Sequence, residues 1–361
     1  MSNTSPKLQI TGNFFMPAEW ETHTSTWLAW PYNEITFPDR VEKVEHVYAM
    51  ILYYLHETET VNLLIRDEAM KKRVTEILEN NHVDCTNINM HIVDYADVWI
   101  RDYGPTFLVN NKKPAWVKWN YNAYGKKFPE LLKDDNVCKQ IKKHLPAMRF
   151  KPNIVIEGGA IEVNGKGTLI TTEECLLNPN RNPNLTKQET EDSLKKYLGV
   201  EKVIWLKKGI VNDHTDGHVD EIARFINPRT IVVAYENDTN DPNFKILDDN
   251  YRTLKSATNQ NGKPFNIIKL PMPHINYDDN EKAPASYANF YIANDLVFVP
   301  QFNDKNDADA IGILQTLLPE HTVVGIDCTD LIYGGGTIHC ITQQQPLMGK
   351  KAKEKHDTRT I

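Results

Sequence analysis

Hydrophobic and polar positions recur along this chain in one order: two alternating strands around a tight turn, an amphipathic helix, then a short apolar strand. From Ile161 the run IEVNGKGTLITT reads strand, turn at Asn164–Gly165, strand. TKQETEDSLKKYLG follows, with Thr186 as N-cap, Glu189 completing a capping box and Gly199 as the stop. VIWL then predicts a buried strand. Elsewhere TFLVNNKKPAWVKW, VDEIARFINPRTIVVAYE and ANFYIANDLVFVPQF predict hairpins turning at Asn110–Asn111, Asn227–Pro228 and Asn294–Asp295. Each is followed by a helical run and a strand: PELLKDDNVCKQIKKHL with NIVI, NFKILDDNYRTLKSATN with FNIIKL, and DADAIGILQTLL with TVVGI.

A fifth unit is split between the two ends of the sequence. Its strands are IHCITQ near the C-terminus and TWLAWP at Thr26–Pro31. Its helix, DRVEKVEHVYAMILYYL, sets Val44, Val47, Ile51 and Leu55 on one face, and its last strand is VNLLI. An extra helix (DEAMKKRVTEILEN) and strand (INMHIV) follow. Units of this kind cannot bury their apolar faces alone, and pairing the two end strands would close them into a ring. The alternative is an open α/β sheet with irregular insertions. Recurrence of one order, with one unit split, favours a pseudo-symmetric, propeller-like α/β toroid of five ββαβ-type units. This predicts a single domain over residues 1–347 and a polar tail over 348–361.

The junctions between units carry the polar residues. DVWIRDYGP holds Asp97, Arg101 and Asp102; EGG holds Glu157; DGHVDE holds His218 and Asp220; SYANF holds Asn289; GGGTIHC holds Cys340. In rotated copies these positions converge, whereas unrelated structural residues would not share one topological slot. His218 and Asp220, two apart, share a face if they lie in a strand. Gly158–Gly159 and Gly334–Gly336 permit close backbone approach to a small ligand. Each residue also has a plain reading. A lone cysteine is more often a small buried hydrophobe, Asp97 and Asp102 can cap turns, and Arg101 can pair with a neighbouring acid.

Composition narrows the field. The 361 residues are 25% charged and 40% hydrophobic with net charge −7, an ordinary globular profile with no general attraction to nucleic acid or acidic membranes. No run approaches the ~20 apolar residues of a membrane span, and MSNTSPKLQITGNFF does not read as a secretory leader. Five scattered cysteines, with no CxxC pair, argue against a disulfide framework or a zinc site and for a reducing, cytoplasmic setting. HxxxH at His214 and His218 opens an expected strand, so no zinc helix is read there. Without a phosphate loop, dinucleotide fingerprint or metal-ligand cluster, neither cofactor nor metal is expected.

Cys340 with His218 forms a nucleophile–base pair. The acids around it would oppose an oxyanion but suit a cation. A guanidinium presents forked N–H donors that carboxylates bind, and two aspartates would hold its carbon for attack by sulfur. Hydrolysis of a guanidine is therefore the expected chemistry. The aromatic residues Trp20, Trp27, Trp30 and Trp99 fit either a narrow apolar channel or the core.

MPAEWETHTSTWLAWP, DVWIRDYGPTF, EGGAIEVNGKGTLITTEECLLNPNRNP, HTDGHVDEIARF, ASYANFYIANDLVFVPQF and GGGTIHCITQQQP together resemble agmatine deiminase (agmatine iminohydrolase). This is the bacterial-type peptidyl-arginine deiminase family of the guanidine-modifying superfamily, and the resemblance runs from Phe15 to about Pro346. It implies a five-bladed α/β propeller and a metal-free enzyme that converts agmatine to N-carbamoylputrescine and ammonia. It further implies that Cys340 forms an amidino-cysteine (thiouronium) intermediate and that His218 protonates ammonia and then activates water. Asp97 and Asp220 would grip the guanidinium, and Glu157 would orient His218 or bind guanidinium. The chain departs from the pattern at His214, where an acidic residue is common; Asp213 or Asp216 are the nearby substitutes. Two other readings stand: deimination of free arginine, peptidyl arginine or another guanidine by the same chemistry, and an inactive ring that binds cationic amines. The expected partner is a small cationic guanidine, with no nucleic acid and no membrane, and self-association is left open.

Overall fold

The structure, a computed structural model, describes residues 13–347. The tail expected over 348–361 lies outside the described residues. In chain order the first elements are β1 (His23–Ala29), α1 (Val41–Thr58), β2 (Thr60–Ile65), α2 (Glu68–Asn80) and β3 (Ile88–Ile92). Next come β4 (Thr106–Val109), β5 (Pro114–Val117) and β6 (Met148–Phe150), then β7 (Glu162–Val163), β8 (Thr168–Thr172), α3 (Lys187–Leu198) and β9 (Lys202–Leu206). They are followed by β10 (Ala223–Asn227), β11 (Thr230–Tyr235), α4 (Phe244–Ser256) and β12 (Asn266–Pro271). The last are β13 (Tyr291–Ile292), β14 (Leu296–Gln301), α5 (Asp307–Leu317), β15 (Thr322–Asp327) and β16 (Gln343–Pro346).

These strands build five small sheets in a mixed α/β fold, in the orders β16-β1-β2-β3, β4-β5-β6, β7-β8-β9, β10-β11-β12 and β13-β14-β15. In each sheet an antiparallel pair is joined by a parallel third strand, as with Ala223↔Val233 and Val232↔Ile268. The first sheet makes its antiparallel pair from opposite ends of the described chain, with Trp27↔Gln343 and Thr26↔Gln344 in register.

Local chemistry accounts for most boundaries. Thr186 accepts from the Glu189 amide while the Glu189 carboxylate accepts from the Thr186 amide, and Gly199 ends α3 at φ +67. These contacts satisfy orphaned backbone groups at the two helix ends. Asp67 caps α2 by accepting from Met70 N at 2.7 Å. On α1, Val44, Ile51 and Leu55 are fully buried, each contributing about 1.5–3 kcal/mol relative to exposure.

Three expected elements differ. The run after Phe128 is not one helix: it breaks into a 3-10 stretch at Pro129–Asn136, a single helical turn at Val137–Gln140 and another 3-10 turn at Lys142–His144. Its aspartates are committed elsewhere. Asp134 accepts from the amides of Ala96 and Asp97 (2.5 and 3.2 Å), and Asp135 from Tyr121 N and Lys118 Nζ (2.8 and 2.7 Å). The parallel strand of that unit is Met148–Phe150, while NIVI contributes only an isolated bridge, Asn120↔Val155. IHCITQ is a turn rather than a strand, and β16 begins only at Gln343.

Candidate active site

The turn that replaces the expected strand carries Cys340, and Asn289 shapes it. The Asn289 side-chain oxygen accepts from Thr337 Oγ1 (2.8 Å), His339 N (3.0 Å) and Cys340 N (3.4 Å). Its Nδ2 donates to the Cys340 sulfur at 3.2 Å. The thiol is 5% exposed and opens onto a cavity of about 220 Å³. Asp97, Asp102, Trp99, Tyr124, Phe128 and His214 share that cavity's lining with Cys340.

Asp97 is buried on the cavity wall. It accepts from Thr36 Oγ1 (2.6 Å), Val98 N (2.9 Å) and Trp99 Nε1 (3.0 Å). Burial outweighs those bonds and pushes its carboxyl up to about 6. Asp102 lies opposite a close-packed turn, accepting from Gly159 N (2.9 Å) and Tyr124 Oη (2.8 Å). Burial likewise raises it to about 6, against the nearby charge of His218.

His218 and Asp220 are not in a strand. His218 precedes the 3-10 turn Val219–Glu221, in which Asp220 sits. The turn still brings both side chains inward. His218 lies between two carboxylates, Nδ1 3.6 Å from Asp102 and Nε2 3.9 Å from Glu157. Neither ring nitrogen has a hydrogen-bond partner among the described residues. A β-carbon added to Gly159 would stand 2.6 Å from His218 Nδ1, 2.9 Å from Asp220 Oδ2 and 3.0 Å from Asp102 Oδ1, so glycine is what lets these groups meet. Asp220 lies 3.8 Å from the Cys340 sulfur.

Glu157 is fully buried and receives Arg181 Nε at 2.9 Å. Arg181 in turn reaches Asp216 and the Thr215 carbonyl. Behind the nucleophile, His339 bridges Asp220 (Nδ1, 2.7 Å) and Glu19 (Nε2, 2.9 Å), and Glu19 receives Arg224 at 2.7 Å. Burial alone would raise Asp220, but the hydrogen bond and charge of His339 overcome it and hold the carboxyl below its ordinary range. Cys340 is pushed well up, first by burial and then by the acids beside it, Asp220 foremost, while the hydrogen bond from Asn289 works the other way.

The five candidates Cys340, His218, Glu157, Asp220 and Asp97 thus fall in one neighbourhood. Asp102, read from sequence equally as a turn cap, belongs there too, and Arg101 does pair with Glu19, at 3.5 Å. Neither Asp213 nor Asp216 faces the cavity. Asp213 accepts four bonds from Thr215, Gly217 and His218, and Asp216 is taken by Arg181, Lys127 and Asn180. Of the four tryptophans, Trp99 lines the cavity, while Trp27 and Trp30 are core and Trp20 packs against it. Glu19, Arg181 and His339 went unassigned because their partners lie far off in sequence, 24 residues away for Arg181 and 320 for Glu19 with His339, and leave no local pattern.

Metal-ligating atoms also approach one another in Glu236, Asp241 and His274, but these are already partnered: Lys282 holds Asp241, and Glu236 accepts from two amides and His274.

A mixed α/β fold of five small sheets, with the Cys340 thiol and the carboxylates of Asp97, Asp102 and Glu130 lining one cavity, matches a deiminase-type fold. The family model for Porphyromonas-type peptidyl-arginine deiminase matches residues 15–346, and the chain belongs to that family. It is 36% identical over 357 residues to the agmatine deiminase of Ectopseudomonas mendocina, spanning 92% of this chain and 95% of that one. To the agmatine deiminase of Medicago truncatula it is also 36% identical, over 93% of this chain and 97% of that one. Among solved structures, the agmatine deiminase of Enterococcus faecalis catalysing its reaction superposes with a TM-score of 0.85 at 32% identity, covering 94% of this chain and 99% of that one. A C. jejuni agmatine deiminase variant with substrate bound gives 0.82 at 28% identity, covering 93% and 97%.

Proposed function

We propose that this protein hydrolyses agmatine to N-carbamoylputrescine and ammonia. The observation that carries this reading is the cavity lining: Cys340 with the carboxylates of Asp97, Asp102 and Glu130, and no lysine or arginine among the described lining residues. A guanidinium finds carboxylates beside the sulfur. The α-carboxylate of free arginine would find no cation, whereas an alkyl chain meets Phe128, Leu131 and Tyr333, with Glu130 as the acid on that wall.

The Cys340 sulfur attacks the guanidinium carbon. One C–N bond breaks, and the nitrogen leaves as ammonia with a proton delivered by His218, leaving an amidino-cysteine. Water then adds to the same carbon as His218 takes its proton, the C–S bond breaks, and the ureido product departs. Asp97 and Asp220 hold guanidinium nitrogens, and Glu157, fixed by Arg181, orients His218. Burial keeps the thiol protonated before substrate arrives; the cation favours the thiolate, and the thiol proton passes to His218, which then gives it to the leaving nitrogen.

We further propose that the five sheets stand as blades of one closed α/β propeller. The repeated sheet order, the β1–β16 pair and the meeting of successive junction residues support it. Five unpaired cysteines support a reducing compartment, and we assign the protein to the cytoplasm; no helix among the described residues is long and apolar enough to cross a membrane.

The test is ammonia release from agmatine, arginine and a blocked arginyl peptide, using the wild type and Cys340→Ala. Turnover of agmatine, lost in the variant, is expected. Preference for arginine or the peptide would move the assignment to those substrates, and full turnover by Cys340→Ala would remove the nucleophile.

A further inference from the structure

Beside Cys340, and not among the residues that line the cavity, stands a carboxyl group that the reaction above does not use. Glu221 ends the Val219–Glu221 turn and is 4% exposed. Its Oε1 lies 3.7 Å from the Cys340 sulfur, within reach of a hydrogen bond to sulfur. Its Oε2 has no partner among the described residues.

The surrounding charges decide its state. Asp220 and Asp213 act on Glu221 from its own segment, Cys340 touches it, and the Tyr277 hydroxyl lies near it. Arg224 is a cation acting on it, but its guanidinium is already committed to Glu19, Glu162 and the carbonyls of Ala288 and Phe290. Around the sulfur itself are Asp220, Asp102, the Tyr124 hydroxyl and the Asn289 amide. Two acids, Asp220 and Glu221, therefore share one buried sulfur. Among the described residues, Asp220 has a hydrogen-bond donor besides the thiol, His339 Nδ1 at 2.7 Å, and Glu221 has none. Like charges in such a site do not both ionise, and the one without a partner keeps its proton.

We propose that Glu221 is held as a carboxylic acid and donates its O–H to the Cys340 sulfur when the thiol ionises, acting with Asn289 to stabilise the thiolate. A neutral carboxyl is a donor, and an apolar, crowded site is where a protein can keep one neutral for that purpose. The burial and the ionised Asp220 beside it push the Glu221 carboxyl well above the ordinary range, in keeping with this geometry. The role rests on Cys340 as nucleophile but not on agmatine as substrate.

The experiment is alkylation of Cys340 by iodoacetamide, followed by peptide mass mapping, across the pH range in which the protein stays folded. Wild type, Glu221→Gln and Glu221→Leu are compared. Glu221→Gln, which keeps a neutral donor, should hold the midpoint close to wild type. Glu221→Leu should move the midpoint to higher pH, and a midpoint one pH unit higher slows alkylation near neutral pH about tenfold. Faster alkylation in Glu221→Gln would show that the native group is an anion repelling the thiolate, and would overturn the proposal. An unchanged midpoint in folded Glu221→Leu would overturn it equally. Should Glu221→Leu fail to fold, the wild-type minus Glu221→Gln infrared difference at neutral pH decides: a protonated carboxyl band supports the proposal, and carboxylate bands alone refute it. Alkylation needs no substrate, so failure of the agmatine assignment, or turnover by Cys340→Ala, would be seen separately.

Discussion

Asn289 holds Cys340 at both the backbone and the side chain, donating Nδ2–H to the sulfur at 3.2 Å while Oδ1 accepts from the Cys340 amide at 3.4 Å. One residue thus sets where the nucleophile points and supplies a donor for its charge. Asn289→Ala should lower kcat roughly 10–100-fold, since a hydrogen bond to a charged group is worth about 1.5–3 kcal/mol. Asn289→Asp keeps the acceptor but replaces the donor with a carboxylate against the sulfur, and that like charge should lower kcat further than Asn289→Ala does. Steady-state kinetics on both variants separate the two functions.

Substrate capture should depend on acid pH. Asp97 and Asp102 are each raised to about 6, so both are neutral below that pH and anionic above it. A guanidinium binds the anions, and kcat/KM for agmatine should therefore rise with pH through about 6 and then level off. Asp97→Asn should remove part of that limb while raising KM. A kcat/KM that stays flat between pH ~5 and ~7 would contradict the raised values.

Gly159 is the point of closest approach for three polar side chains. In Gly159→Ala the added carbon would stand 2.6 Å from His218 Nδ1, and the ring must move. A displacement of about 1 Å in such a group costs about 100-fold in rate. Activity should fall by that order, while thermal unfolding shifts far less than the activity does.

Arg181 is structural to the site. Its side chain is fully buried against Glu157. Arg181→Met would leave that carboxylate unpaired in the interior, costing about 3–5 kcal/mol. Urea unfolding of the variant should show that loss, and Glu157→Gln in the same background should restore part of it.

The hairpin turns were legible because Asn–Gly, Asn–Pro and Asn–Asp steps carry their own conformational preference, and α3 because its cap and stop are local. The site was legible where residues took equivalent slots: Cys340, His218, Asp220, Glu157 and Asp97 share one neighbourhood. What escaped is non-local. PELLKDDNVCKQIKKHL has helical composition, yet Asp134 and Asp135 bond to Ala96, Asp97, Lys118 and Tyr121, and those partners break the helix. IHCITQ has strand composition, yet Asn289 gathers its backbone into a turn. Glu221, next to Asp220 in DGHVDE, carries no local mark of a role, and the fold brings its Oε1 to 3.7 Å from the sulfur.

The β1–β16 pairing also orders events during synthesis. β1 leaves the ribosome early, but its antiparallel partner, Gln343–Pro346, emerges last among the described elements and just after Cys340. Until then β1 presents an open edge, the kind of surface that recruits foreign strands. A chain that stops before Cys340 lacks this clasp and the reactive thiol together. Incomplete products therefore keep that edge unpaired, but carry no unguarded nucleophile at this site.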